Sequence, residues 1–101
     1  MAKKCEWIVA IANTEGDGVT LRKVTGTADD IATYLLGIIS EDKENDAEGF
    51  VSGSKNESDI DRSVDFGSNE VIELNGYNTF SDYHIDYTAR RIDEISTCTL
   101  S

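Results

Sequence analysis

The apolar positions of this chain change period several times, and each change marks an element. In residues 5–12, CEWIVAIA, a period of two puts Cys5, Trp7, Val9 and Ile11 on one side and Ile8, Ala10 and Ala12 on the other. This is the pattern of a strand covered on both faces. NTEGDG follows, a dense turn signal ending in Asp17-Gly18. Residues 19–25 then resume as a second strand, with Val19 and Leu21 on one face, so the two form an antiparallel hairpin. From Thr27 the period becomes helical. Thr27 is a good N-cap, and Asp29 and Asp30 place negative charge at the positive end of the helix dipole. Ile31, Tyr34, Leu35 and Ile38 follow at i, i+3, i+4 and i+7, with Ala32, Leu36 and Ile39 widening the stripe. The spacing predicts a helix from 28 to about 43 that lies across a sheet, with Gly37 costing it about 1 kcal/mol relative to Ala.

The periodicity then fades. Residues 41–69 are rich in Asp, Glu, Ser, Asn and Gly, with Phe50, Val51, Ile60, Val64 and Phe66 as the only large apolar anchors. Such a stretch does not fold alone. It predicts a mobile acidic connection at about 44–69 with one weak strand near 60–66. Beyond it, NEVIEL predicts a third strand over 70–75, ended by Asn75-Gly76. Asn78 to Asp82 read as the turn before a fourth strand, 83–91. There Tyr83, Ile85, Tyr87 and Ala89 alternate with His84, Asp86, Thr88 and Arg90, a half-buried strand. The tail IDEISTCTL fits one helical turn or a short edge strand. The expected fold class is α+β: one domain over 1–101, an antiparallel sheet of about four strands, and one helix packed on one face, in the order ββαββ.

Charge adds what periodicity does not show. The 101 residues carry 20 Asp plus Glu against 9 Lys plus Arg, a formal net of −11. Such a surface repels nucleic-acid phosphate and anionic membranes and attracts basic surfaces. The simpler consequence of that charge is solubility. Over 41–61 there are eight acids against two lysines, a local net of −6. If the helix continues to 48, Glu41, Glu44 and Glu48 form a carboxylate stripe at i, i+3 and i+7, with Asp42 and Asp46 beside it. On an extended segment Asp59, Asp61 and Asp65 share a parity and point one way. Rows of carboxylates at this spacing can stand in for a phosphate backbone and compete for the Lys and Arg of a nucleic-acid-binding protein.

The remaining chemistry is sparse. His84 is the only histidine, and it shares a strand face with Asp86, but no nucleophile motif adjoins it. One histidine and two distant cysteines, Cys5 and Cys98, do not make a zinc site. With no secretory signal, free thiols in a reducing cytosol are the expectation. The apolar run from Trp7 to Ala12 is too short to span a membrane. DIDRSVDFGSNE places Asp59, Asp61, Ser63, Asp65 and Glu70 at the ligand positions of a calcium loop, but Val64 stands where that loop needs Gly. No phosphate-binding glycine motif occurs.

The stretch YNTFSDYHIDYTA, 77–89, resembles a run in small uncharacterised acidic proteins of phages and mobile elements of Gram-positive bacteria. The resemblance spans these residues alone and carries no functional residue with it. It implies a class in which small acidic proteins inhibit host nucleic-acid enzymes, as anti-restriction and anti-CRISPR proteins do. The expectation is therefore a cytoplasmic, non-enzymatic module without a cofactor. Glu41, Asp42, Glu44, Asp46, Glu48, Asp59, Asp61 and Asp65 would meet a basic groove, with Tyr77, Phe80 and Tyr83 as aromatic anchors. The alternatives are a calcium-responsive loop at 59–70, a small enzyme around His84, Asp86 and Tyr87, and an accessory protein that binds through an open sheet face.

Overall fold

The computed structural model describes residues 4–14 and 18–94. Asp17 of the expected first turn, and the tail beyond Glu94 with Ile95 and Cys98, lie outside the described residues. The chain forms β1 (Cys5–Asn13), β2 (Val19–Gly26), α1 (Ala28–Asn45), β3 (Phe50–Gly53), β4 (Asp61–Val64), β5 (Val71–Phe80) and β6 (His84–Arg91), with 3-10 turns at Glu57–Asp59 and Ile92–Glu94. It is α+β, with one α-helix on an antiparallel sheet, as expected, but the sheet has six strands rather than about four. The order is β2-β1-β6-β5-β3, with β4 also paired to β5.

The alternating pattern places its residues as read. Trp7 and Val9 of β1 and Ile85, Tyr87 and Ala89 of β6 are buried on the helix side, with Leu74 and Phe80 of β5. Across from them α1 buries Ile31, Ala32, Leu35 and Ile39, while Tyr34 and Ile38 sit at the edge of the contact. The helix begins as its residues dictate. The Asp30 N–H donates to Thr27 Oγ1 at 3.1 Å, and the Thr27 N–H donates to Asp30 Oδ2 at 2.9 Å, a reciprocal cap. The Thr27 N–H, and after it the Thr27 hydroxyl, hold the Asp30 carboxyl below its ordinary pKa. Trp7 adds a polar tie, its indole N–H donating to the Gly26 carbonyl at 3.1 Å inside the core.

Two readings of the C-terminal half need correction. Asn75-Gly76 is not a turn; β5 runs through it to Phe80 and turns only at Ser81 and Asp82. Gly76 is glycine because a Cβ there would stand 2.8 Å from Ile39 Cδ1 and 2.9 Å from Ile60 Cδ1. The acidic segment also carries more structure than one weak strand. β3 pairs with the Asn78–Phe80 end of β5, and β4 pairs with the Val71–Asn75 end, so the two share one side of that long strand. Between them residues 54–60 leave the sheet and return, with Ser54 and Ile60 buried.

Ile60 is the apolar tie of that excursion. Ile60→Ala is expected to cost about 2–5 kcal/mol in urea unfolding. A change under about 0.5 kcal/mol would show that residues 54–60 are not packed on the sheet.

Candidate interaction surface

The helix ends at Asn45 with Asp46 as its cap residue, so the stripe imagined to continue to Glu48 is divided. Glu41 and Glu44 are exposed on the last turns, and Glu48 is exposed in the turn that follows. Asp42 and Asp46 face the sheet instead. Tyr87 donates its hydroxyl to Asp42 Oδ2 at 2.6 Å, and Tyr83 donates to Asp46 Oδ2 at 2.8 Å. Asp46 also accepts the Gly49 N–H at 3.2 Å, which closes the turn after the helix. Both carboxylates are thus engaged by tyrosines of the fold.

The row Asp59, Asp61 and Asp65 does not form either. Asp59 lies in a 3-10 turn, where its Oδ2 accepts the backbone N–H of Lys55 at 2.9 Å. Asp61 is exposed on β4. Asp65 lies beyond a bulge at Ser63 and Val64, where it accepts the Ser68 N–H at 3.0 Å. That bond, with the Ser68 hydroxyl, lowers the Asp65 pKa. Residues 59–70 are not one continuous loop, because Asp61–Val64 forms strand β4. Among the described residues no group of three or more His, Cys, Asp or Glu could hold a metal ion.

Of the three aromatic anchors, Phe80 is 3% exposed and belongs to the core. Tyr83 is half-buried, stacked on Phe80 at 4.6 Å between ring centroids. Tyr77 alone stays at the surface, 38% exposed. Phe66, read only as an anchor of the acidic segment, stands fully exposed at the tip of the β4–β5 connection. Alternation along a strand does not report a hairpin tip, so the pattern held no signal for it.

His84 is held on both sides of its ring. Nε2 lies 2.8 Å from Asp86 Oδ1 and Nδ1 lies 2.9 Å from Thr79 Oγ1. The ring stacks on Tyr77 at 6.0 Å. Asp59, Asp61, Asn75, Tyr77 and Asp86 complete a shallow groove of about 310 Å³ around it, on the face opposite α1. The pair expected on one strand face is there, and its ring nitrogens are both engaged within the chain.

Most of the cations meet groups of the chain itself. Arg62 reaches Asp29 at 2.9 Å, Arg90 reaches Glu73 at 3.0 Å, and Lys23 reaches Glu6 at 3.4 Å. Arg91, buried, bridges Glu70 at 2.9 Å and Asp93 at 2.6 Å, and these bonds raise its pKa. Arg22 donates to the Tyr34 hydroxyl at 3.1 Å. Lys43 lies over the Phe50 ring at 4.7 Å. All four arginines of the chain thus have internal partners, while Glu41, Glu44, Glu48 and Asp61 remain on the surface. Glu73 has its pKa lowered by the Arg90 and Asn75 hydrogen bonds against the opposing effect of burial.

One network was not visible in the pattern. Asn78, wholly buried, donates from Nδ2 to the Ile39 carbonyl at 2.9 Å and to the Tyr87 hydroxyl at 3.1 Å. Its Oδ1 meets no donor and lies against Gly53, where a Cβ would come within 2.2 Å. No family model, no curated protein and no solved structure matches this chain. No helix among the described residues is long and apolar enough to cross a membrane.

Burial and the bond to Asp42 raise the Tyr87 pKa. The folded state therefore keeps this proton after the unfolded chain has lost it. The resulting stability is complete below the unfolded tyrosine value, about 10, and falls as pH rises beyond it. In Tyr87→Phe the fall in urea midpoint above about pH 10 is expected to be shallower than in the wild type. Equal slopes would show that Tyr87 does not carry the effect. Asp42→Ala, which strips the phenol of its acceptor, is expected to cost about 1–3 kcal/mol at neutral pH.

Proposed function

We propose that the chain is a non-enzymatic binding module whose acidic surface engages a basic protein surface, and that the surface it fits is a groove made for nucleic acid. The observation that carries this reading is the distribution of charge. The net is −11, and each of the four arginines is engaged by the chain's own groups. At the end of α1, Glu41, Glu44 and Glu48 face solvent with Lys43 among them, and on β4 Asp61 is exposed beside Arg62. Carboxylates there add to the negative end of the helix dipole, which extends their field. The mechanism is steric and electrostatic competition. The resemblance of residues 77–89 to acidic phage proteins supports the same class. Asp42, Asp46, Asp59, Asp65, Phe80 and Tyr83 act behind this surface by holding its shape.

A second reading places the partner on the sheet face opposite α1. It is favoured by Tyr77, which remains exposed there beside His84. In this reading the protein is an accessory factor rather than an inhibitor.

The deciding experiment is capture from host lysate at low and high salt, with duplex DNA as competitor. Binding is expected to weaken steeply as salt screens the contacts and to be displaced by DNA. The Glu41→Gln, Glu44→Gln, Glu48→Gln triple variant is expected to lose about 0.2–1 kcal/mol of affinity per charge. Capture that survives unchanged in high salt would sink the charge-driven reading. Capture lost in Tyr77→Ala but kept in the triple variant would favour the sheet face.

A further inference from the structure

The two edges of the sheet are built differently. One is assembled from β3 and β4, four residues each, with a bulge in each pairing and the excursion 54–60 between them. Short, bulged and interrupted strands are how proteins keep other chains from pairing with an edge. The other edge is β2. It pairs with β1 over eight consecutive residues with no register shift. It contains no proline.

Hydrogen bonding shows which of its groups are unsatisfied by the sheet. The Thr14 N–H donates to the His84 carbonyl at 3.0 Å, in the register that pairs Ala12 with Asp86 and Ala10 with Thr88. Bonded pairs alternate along an antiparallel ladder. Ala12, Ala10 and Ile8 therefore bond toward β6, and Ile11, Val9 and Trp7 bond toward β2, where they meet Thr20, Arg22 and Val24. Val19, Leu21, Lys23 and Thr25 are left with their N–H and C=O groups aimed off the sheet. All four are exposed, Val19 at 59% and Leu21 at 66%.

We infer that this edge pairs with the β2 edge of a second copy of the chain, antiparallel about a two-fold axis at Leu21. Three features point to a second copy. First, an axis perpendicular to the sheet keeps like faces together, and at Leu21 it sets Leu21 against Leu21. It also sets Val19 against Lys23 and Thr20 against Arg22. Axes at Arg22 or Lys23 would set like charges opposite each other, which is unfavourable. Second, Leu21 and Lys23 in this register are both residues whose backbone groups point outward, so the new ladder is complete where the strands overlap. Third, joining the two open edges leaves only the guarded ones, so the assembly closes at two copies and does not extend into a fibre. Each copy brings a net of −11, so their repulsion opposes pairing and salt relieves it. Self-association thus strengthens with salt, the opposite sign to capture of a basic partner.

The test is sedimentation equilibrium of the full chain over a range of concentrations at low and high salt, for the wild type, Leu21→Pro and Leu21→Lys. Leu21→Pro removes an outward N–H while Thr20 and Arg22 keep the inner ladder, and proline is tolerated on such an edge. Leu21→Lys leaves the backbone intact and sets ammonium against ammonium. The wild type is expected to form dimers and nothing larger, more tightly at high salt. Both variants are expected to raise the dissociation constant by about tenfold or more. A wild type that stays monomeric throughout, species beyond the dimer, or variants that associate as tightly as the wild type would each overturn the inference. If circular dichroism shows that Leu21→Pro does not fold, Leu21→Lys decides alone.

Discussion

The hydrogen bond from the Tyr87 hydroxyl to Asp42 governs how the helix sits on the sheet. A phenol carried into an apolar interior must find a partner or lose the solvation it had in water. Tyr87 lies on the buried face of β6, under α1, and the fold answers it twice, once from the helix and once from β5. Asp42 accepts its hydrogen bond, and Asn78, which also holds the Ile39 carbonyl, donates to its oxygen. Helix, β5 and β6 are thereby tied at one polar point inside the core formed by Ile31, Leu35, Ile39 and Leu74. Asn78 and Gly53 are coupled in turn, because β3 can approach β5 at that place only where no side chain intervenes.

That same bond redefines the acidic end of the helix. A stripe read from spacing treats every carboxylate as facing water. In the fold Asp42 and Asp46 turn under the helix to tyrosines of the sheet, while Glu41 and Glu44 turn out. Acids at a helix C-terminus oppose its dipole. Asp42 and Asp46 are compensated by the phenols that bond to them, Glu41 has only the field of the exposed Arg22, and Glu44 has no such bond among the described residues. Residues that break a local rule without a structural gain are where function is sought first.

Side-chain pattern and backbone pairing were unequally visible before the structure. The alternation from Tyr83 to Arg90 and the cap at Thr27 are written in residue type, and both hold. β3 and β4 are short and polar, and they join β5 through backbone bonds that leave little trace in composition. Asn75-Gly76 carries a strong turn signal, yet its glycine answers a different need, the close approach of Ile39 and Ile60. The partners of Asp42 and Asp46 come from β6 and the turn before it, more than thirty residues away in sequence. No local spacing encodes them. Phe66 and Phe80 show the same limit, since the fold exposes one phenylalanine and buries the other.

Strand edges and charge then act together on what the surface can do. Val19, Leu21, Lys23 and Thr25 offer backbone groups without a charged screen of acids, because β2 is the one strand that contains cations and no carboxylate. Acids nevertheless stand close by: Glu6 meets Lys23 at 3.4 Å, and Glu41 and Asp42 share a groove with Thr20 and Arg22. A basic partner drawn by Glu41 therefore approaches the helix-side face of β2, whereas a strand pairing with β2 uses its outward backbone groups. The two modes of association thus use different groups, backbone at the β2 edge and carboxylates at the end of α1, and ionic strength drives them in opposite directions.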